Sequence, residues 1–142
     1  PLFEKYKDLY DKITLADITS ELKEVDIKTY DAEKLKMKKD RNSISGILFK
    51  DCDILMLPVT SAITPTIAEA REQGPFALDG SNTEPFSGFG LPAISVPAGF
   101  SRNGMPLGLQ IVGQRWGDET VLYIADKYQK ATNWHLKHPQ IV

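Results

Sequence analysis

Residues 88–113 read GFGLPAISVPAGFSRNGMPLGLQIVG, and this stretch decides the fold. Two apolar segments, at 93–97 and 107–113, flank a short polar turn. The turn contains Asn103 and Gly104, a pair that tolerates positive φ at both positions and is the strongest short signal for a hairpin. The stretch therefore predicts two antiparallel strands that lie side by side in one sheet.

The preceding segment predicts a third strand. Residues 53–59 contain the uninterrupted apolar run Ile-Leu-Met-Leu, which ends at Pro58. Such a run is typical of a strand buried on both faces, as in parallel sheets covered by helices. We therefore expect an α/β fold.

The following segment predicts a C-terminal helix. Asp118 can cap its start, and its end is expected near Trp134, ahead of Pro139. Four side chains at helical spacing are expected to face inward: Val121, Ala125, Tyr128 and Thr132.

The N-terminal half predicts helices with weaker boundaries. Apolar spacing indicates three helical segments: 3–13, 20–25 and 29–50. Gly46 weakens the last segment, so one long helix and two shorter ones both fit. Pro65 can occupy the first turn of a short helix through Arg71. Residues 74–90 are rich in Gly, Pro, Ser and Asn and predict an irregular loop.

Composition narrows the class of protein. The chain has 142 residues, 17 Lys and Arg against 19 Asp and Glu, a net charge of −2 and one cysteine, Cys52. A lone cysteine excludes a disulfide framework within the chain and fits a reducing compartment, so a cytoplasmic location is expected. Apolar runs far shorter than the roughly 20 residues of a membrane span predict no anchor. The weak net charge provides no general field for nucleic acid.

The length is that of one domain of typical size. No linker or internal repeat divides the sequence, so residues 1–142 are expected to form a single domain. The first residue is Pro1 rather than an initiator methionine, and we expect processing or truncation to have produced this terminus.

Motifs for cofactors and metals are weak. Residues 88–93 match the dinucleotide pattern G-x-G-x-x-A, but they lead into a strand, whereas that pattern must open a helix. His135 and His138 could share a helix face, yet nothing completes a ligand set and a solvated tail is favoured. The basic run at 34–41 fits a solvated helix face. We therefore predict no metal and no cofactor.

Several segments together resemble the C-terminal part of the amidase signature family. They are 53–60 (DILMLPVT), 82–100 (NTEPFSGFGLPAISVPAGF), 104–114 (GMPLGLQIVGQ), 118–120 (DET) and 132–135 (TNWH). The resemblance implies the C-terminal part of an α/β/α sandwich with a mixed sheet and helices covering both faces. It also implies that the chain is the C-terminal fragment of a larger amidase domain.

The same resemblance implies an enzyme that hydrolyses or transfers carboxamide groups. In the family, one serine attacks the carbonyl, a cis-serine relays the proton, a lysine acts as base, and a Gly- and Ser-rich run holds the oxyanion. This chain contains no such run. Its catalytic residues are therefore expected in a missing N-terminal part, and the chain alone is expected to be inactive.

The resemblance further places a substrate pocket beside the segment 82–90. Four residues are expected to line it: Thr83, Pro85, Phe86 and Gly90. Phe86 is the strongest candidate for contact with a small-molecule amide. The alternative is a rigid loop packed on the sheet, because loops held by a rigid scaffold serve either purpose.

Two branches of the family stay open. In the branch formed by the A subunit of glutamyl-tRNA amidotransferase, an acidic residue meets the amino group of glutamine, and that position falls on Gly80, next to Asp79. The motif Asn-Thr-x-Pro-Phe at 82–86 looks like that of the general amidases instead. This resemblance favours hydrolysis to a carboxylate and ammonia. Nucleic acid is a partner only in the amidotransferase alternative.

A third alternative is a non-catalytic amidase-like module that binds an amide or a partner. As a fragment, the chain would carry an apolar face meant for the missing portion. A homo-oligomer is one way to cover that face.

Overall fold

The computed structural model describes residues 2–21, 26–74 and 80–138. The chain divides into two compact units, one of residues 1–34 and 65–78 and the other of residues 35–64 and 79–142. The elements follow in the order α1 (Leu2–Tyr6), α2 (Lys12–Glu21), α3 (Ile27–Leu48), β1 (Ile54–Pro58), α4 (Ile67–Gln73), α5 (Glu84–Phe89), β2 (Ala93–Phe100), β3 (Pro106–Gly113) and α6 (Asp118–Ala131). None of the helices in these described ranges is both long enough and apolar enough to cross a bilayer.

A three-stranded sheet organises the second unit. Its order is β1-β3-β2, and both neighbouring pairs run antiparallel. β2 and β3 form the predicted hairpin, in which the Ser101 amide donates to the Met105 carbonyl oxygen at 2.8 Å. The expectation of a parallel environment for β1 is wrong, because β1 pairs with β3 in the antiparallel sense. The described strands supply only antiparallel pairs of the mixed sheet that the resemblance implies.

Helices cover both faces of this sheet, as expected for the α/β class. Successive side chains of a strand point to opposite faces, so Ile111 and Val112 of β3 enter different cores. Ile111 packs with Val121 of α6, whereas Val112 packs with Phe49 and Leu91. Both β3 side chains are fully buried. Each contributes about 1.5–3 kcal/mol through the apolar surface that it removes from water.

β1 is less buried than its apolar run predicts. Met56 is 47% exposed, and Ile54, Leu55 and Leu57 are half-buried. The strand lies at one edge of the described sheet, with β3 on one side only. An edge strand buries less of its surface than a central one, which explains the difference.

The C-terminal helix confirms three of the four predicted inward residues, whereas Thr132 follows it as the C-cap, because the helix ends at Ala131 rather than near Trp134. Val121 and Ala125 are buried, and Tyr128 is half-buried beside them. Gly117 holds the N-cap position that was expected for Asp118. Asp118 lies instead in the first turn, where the helix dipole favours a carboxylate.

The residues after α6 pack on the sheet. The 3₁₀ turn Trp134–Leu136 lies against β2, and its indole ring meets the Phe100 ring edge-on at 6.1 Å between centroids. His135 is half-buried in this turn, whereas His138 is exposed. The expected solvated tail is therefore wrong for the first of the two histidines.

The helix predicted over 3–13 is interrupted in the first unit by a 3₁₀ turn between α1 and α2. The Asp11 carboxylate accepts from the backbone amides of Ile13 at 2.9 Å and Thr14 at 3.1 Å, so α2 begins afresh after it. The Thr14 hydroxyl also donates to this carboxylate, and these bonds lower the pKa of Asp11 below its ordinary value.

α3 is one continuous helix of 22 residues, so the long-helix alternative for residues 29–50 is confirmed. Gly46 lies near its C-terminal end without interrupting it. The helix predicted over 20–25 falls mainly on residues 22–25, which lie outside the described residues.

α4 begins with a capping box rather than with Pro65. The Thr66 hydroxyl oxygen accepts from the Glu69 amide at 3.2 Å, and the Glu69 carboxylate accepts from the Thr66 amide at 2.8 Å. The backbone and hydroxyl bonds from Thr66 lower the pKa of Glu69 below its ordinary value. The pair therefore satisfies amides at the helix start that would otherwise lack a partner.

Gly113, the last residue of β3, has no room for a side chain. A Cβ there would lie 2.5 Å from Cγ2 of Val121 and 3.3 Å from the carbonyl oxygen of Gly117. We predict that Gly113→Ala lowers the free energy of unfolding by about 1–3 kcal/mol, because the buried valine must shift. Urea unfolding of the purified protein measures the change.

Gly46→Ala is the matched control. Nothing lies within 4 Å of a Cβ at this helical position. Alanine there should raise the free energy of unfolding by about 0.5–1 kcal/mol, since glycine loses more backbone freedom on folding. Equal effects of the two substitutions would contradict the close approach of β3 and α6.

We predict that Thr66→Ala moves the pKa of Glu69 part of the way back up, because the hydroxyl bond is lost and the backbone bond stays. The carboxylate has a lower pKa folded than unfolded. Its contribution to stability is therefore present above the unfolded pKa and is lost as the pH falls through the folded pKa. NMR titration of the Glu69 side chain measures the shift. Thr66→Ser should keep the pKa low, and no change in Thr66→Ala would sink the capping-box account.

Candidate functional site

The candidate site is built around α5. Thr83 precedes the helix, and Pro85 lies in its first turn, where its missing N–H costs nothing. Gly90 ends the helix in the left-handed region at φ 68°, and its amide donates to the carbonyl oxygen of Phe86. The structure thus brings the four predicted residues together on one short helix and its two ends. The irregular loop predicted for this segment is wrong where α5 forms.

The four residues differ in exposure. Thr83 and Phe86 are half-buried, whereas Pro85 and Gly90 are exposed. The Thr83 hydroxyl donates to the Gly80 carbonyl oxygen at 3.2 Å. Phe86 packs against the buried cluster around Val112, so part of its ring belongs to the core. Contact of these residues with substrate stays a prediction.

Three side chains that the sequence analysis did not single out hold this segment. Gln110 of β3 donates its side-chain N–H to the Asn82 carbonyl oxygen at 2.7 Å, and the Asn82 side chain donates to the Pro58 carbonyl oxygen at 3.0 Å. Arg41 of α3 donates Nε–H to the Gly88 carbonyl oxygen at 2.9 Å. The segment is therefore tied to the sheet at its start and to α3 near its end.

The sequence carried a signal for one of these anchors. Gln110 is the only polar side chain in the run LGLQIVG at 107–113, and it is 5% exposed. A buried amide needs a partner, because leaving it unsatisfied costs about 1–3 kcal/mol. Arg41 carried no such signal, since it ends a run of basic residues that fits a solvated helix face.

The space beside Gly80 is filled by a side chain of a nearby residue. A Cβ added at Gly80 would overlap the carboxyl group of Glu84, the first residue of α5. The space beside Gly80 therefore already holds a carboxyl group. Asp79, the other candidate for the acidic position of the amidotransferase branch, lies outside the described residues.

The chemistry that this arrangement supports is binding. It offers the apolar surfaces of Pro85 and Phe86 on a backbone whose carbonyl groups are held by buried and half-buried side chains. In the part of the chain that the structure describes, no three His, Cys, Asp or Glu side chains are grouped so that they could hold a metal ion.

A family model for amidases matches residues 10–122. This range covers most of the chain and includes the sheet and α5. The chain therefore belongs to the amidase signature family, as the resemblance implied.

Known relatives include a hydrolase and a component of an amidotransferase. The A subunit of the glutamyl-tRNA(Gln) amidotransferase from Chromobacterium violaceum is 37% identical over 116 residues, 79% of this chain and 24% of that protein. The structure of 6-aminohexanoate cyclic dimer hydrolase with its substrate matches with a TM-score of 0.71 at 25% identity, over 91% of this chain and 30% of that one. The A subunit structure from Thermotoga maritima matches with a TM-score of 0.52 at 27% identity, over 78% and 28%. The chain thus spans about a quarter of the length of these curated relatives.

Proposed function

We propose that this chain is the C-terminal part of an amidase that hydrolyses a small carboxamide to a carboxylate and ammonia. The observation that carries the proposal is the segment 82–90, which side chains of the scaffold hold at both ends in a chain of the amidase family. A segment that is held at both ends and lines the substrate pocket keeps the substrate in place while the attacking atom approaches.

The proposed reaction is the Ser/cis-Ser/Lys hydrolysis that the resemblance implies. A serine oxygen bonds to the carbonyl carbon, the C–N bond breaks, and the nitrogen takes a proton and leaves as ammonia. Water then cleaves the ester between the acyl group and the serine, which releases the carboxylate. We place these catalytic residues outside residues 1–142, so the chain by itself is inactive.

In this scheme Pro85 and Phe86 supply apolar contact to the substrate, while Thr83 and Gly90 define the ends of the helix that carries them. Phe86 is half-buried, so part of the residue stays accessible, and Pro85 next to it is exposed. An apolar surface of this kind favours amides with an uncharged group at the position it contacts.

We infer that residues 1–142 belong to one larger amidase domain. Several large apolar side chains of the second unit are at least 47% exposed, among them Ile47, Met56, Ile63, Phe100, Leu122 and Tyr123. Exposed apolar side chains in this number, on several elements, favour a chain whose surface is covered in part by other protein surface. The one-quarter share of the relatives' length supports the same inference, and a second copy of the chain is the alternative cover.

The amidotransferase branch is the second candidate function. It is favoured by the 37% identity to the A subunit of a glutamyl-tRNA(Gln) amidotransferase and by the carboxyl group of Glu84 beside Gly80. In that case the substrate is glutamine, the ammonia passes to a tRNA-linked acceptor, and further subunits are partners. The hydrolase is distinguished from it by turnover of amides that lack an amino acid headgroup.

We predict that the purified native protein releases ammonia from simple aliphatic or aryl amides. The variant Phe86→Leu should raise KM for such an amide about fivefold or more, because it removes ring contact with the substrate. A coupled ammonia assay measures both. Leucine keeps an apolar side chain in the half-buried site, and circular dichroism checks that the variant is folded.

Phe100→Leu is the matched control, because Phe100 lies on β2 against Trp134 rather than at α5. Its KM should stay within twofold of the unaltered protein. Turnover of glutamine alone would move the assignment to the amidotransferase. If the protein releases ammonia from no amide but calorimetry shows that it binds one, the amidase proposal fails and the non-catalytic binding module replaces it.

We predict that an antibody against residues 107–134 detects a native polypeptide several times heavier than the 15.8 kDa of this chain. A larger domain would supply the catalytic residues and would cover the exposed apolar side chains. An immunoblot of the source cells measures the mass. A single band at 15.8 kDa would refute the larger domain.

A further inference from the structure

The helix α5, within segment 82–90, is too short to be stable by itself. α5 has six residues, and isolated helices shorter than about 12–15 residues are marginal in water. Its internal order rests on a few amide bonds, among them Ser87 N–H to the Thr83 carbonyl oxygen and Leu91 N–H to the Phe86 carbonyl oxygen. The position of the helix must therefore be set by contacts from outside it.

Gln110 supplies one such contact from the central strand of the sheet. It lies in the central strand β3, opposite Leu57 of β1 and Ser95 of β2, and between the core residues Leu109 and Ile111. An apolar side chain at this place would leave the Asn82 carbonyl oxygen without its donor, and losing one partner of a buried hydrogen bond costs about 1–3 kcal/mol. The amide therefore ties the Asn82 backbone to the central strand.

Arg41 supplies the second contact from a different element. It is half-buried, unlike the exposed basic residues that precede it in α3, and its Nε–H points to the Gly88 carbonyl oxygen at 2.9 Å. Gln110 and Arg41 therefore hold the two ends of the segment from a strand and from a helix. Two fixed ends restrict both the position and the tilt of α5.

We propose that Gln110 and Arg41 are positioning residues, which set where α5 presents Pro85 and Phe86 and thereby how tightly substrate binds. The kinetic part of this proposal rests on the proposed amidase function. The structural part does not, because it concerns the fixed position of the segment itself.

The test uses the native protein with Gln110→Met and Arg41→Met, which keep much of each side chain's length and remove the donor. Hydrogen exchange is followed in peptides from α5 and, as an internal reference for global opening, from α6. We expect the α5 amides to exchange about tenfold faster relative to α6, since each bond to a backbone carbonyl is lost. KM for the amide substrate should rise about fivefold or more, while kcat stays within twofold.

Two controls match the chemistry of the substitutions. Gln114→Met changes an exposed glutamine that follows β3, and Lys39→Met changes an exposed basic residue of α3. Both should leave the ratio of α5 to α6 exchange and the KM unchanged. An equal rise in α5 and α6 exchange would indicate loss of global stability only and would overturn the positioning role.

The two proposals can fail separately. Faster α5 exchange with an unchanged KM would overturn the link between segment position and substrate binding in an active enzyme. If the unaltered protein hydrolyses no amide, the proposed function fails, and the exchange ratio alone decides whether Gln110 and Arg41 position the segment. An unchanged exchange ratio in both variants would refute the proposal whatever the activity.

Discussion

The pairing of β3 between β1 and β2 is the constraint on which the rest of the second unit depends. A central strand has both edges hydrogen-bonded, so its register fixes which side chains reach each face. Ile111 enters the core under α6, whereas Val112 and Gln110 face the side of α3 and α5. A slip of one residue would exchange the two cores and remove the amide from the Asn82 carbonyl.

The candidate site follows from this register. α5 lacks the length to be stable alone and depends on the Gln110 amide, the Arg41 guanidinium and the packing of Phe86 for its place. The site is therefore a consequence of the sheet rather than an independent loop motif. In the proposed function its groups bind and orient the substrate, and the bond-breaking chemistry is assigned to residues beyond this chain.

Membership of the amidase signature family does not choose between the branches of that family. Curated relatives are named as amidotransferase subunits, while the 6-aminohexanoate cyclic dimer hydrolase shares the fold at a TM-score of 0.71. The resemblance implies that an acidic residue near position 80 separates the branches. There the structure shows Glu84 filling the space beside Gly80.

The sequence by itself determined the hairpin of β2 and β3, the inward face of α6 and the family, because turn chemistry, helical periodicity and contiguous motifs are local properties. It predicted the site residues Thr83, Pro85, Phe86 and Gly90 through the family resemblance, but it did not place them on a helix. The direction of β1, the break before α2 and the anchors Gln110 and Arg41 were decided by tertiary structure. Strand direction and the anchors depend on partners that are distant along the chain, such as the 28 positions between Gln110 and Asn82. Local periodicity carries no record of such pairs.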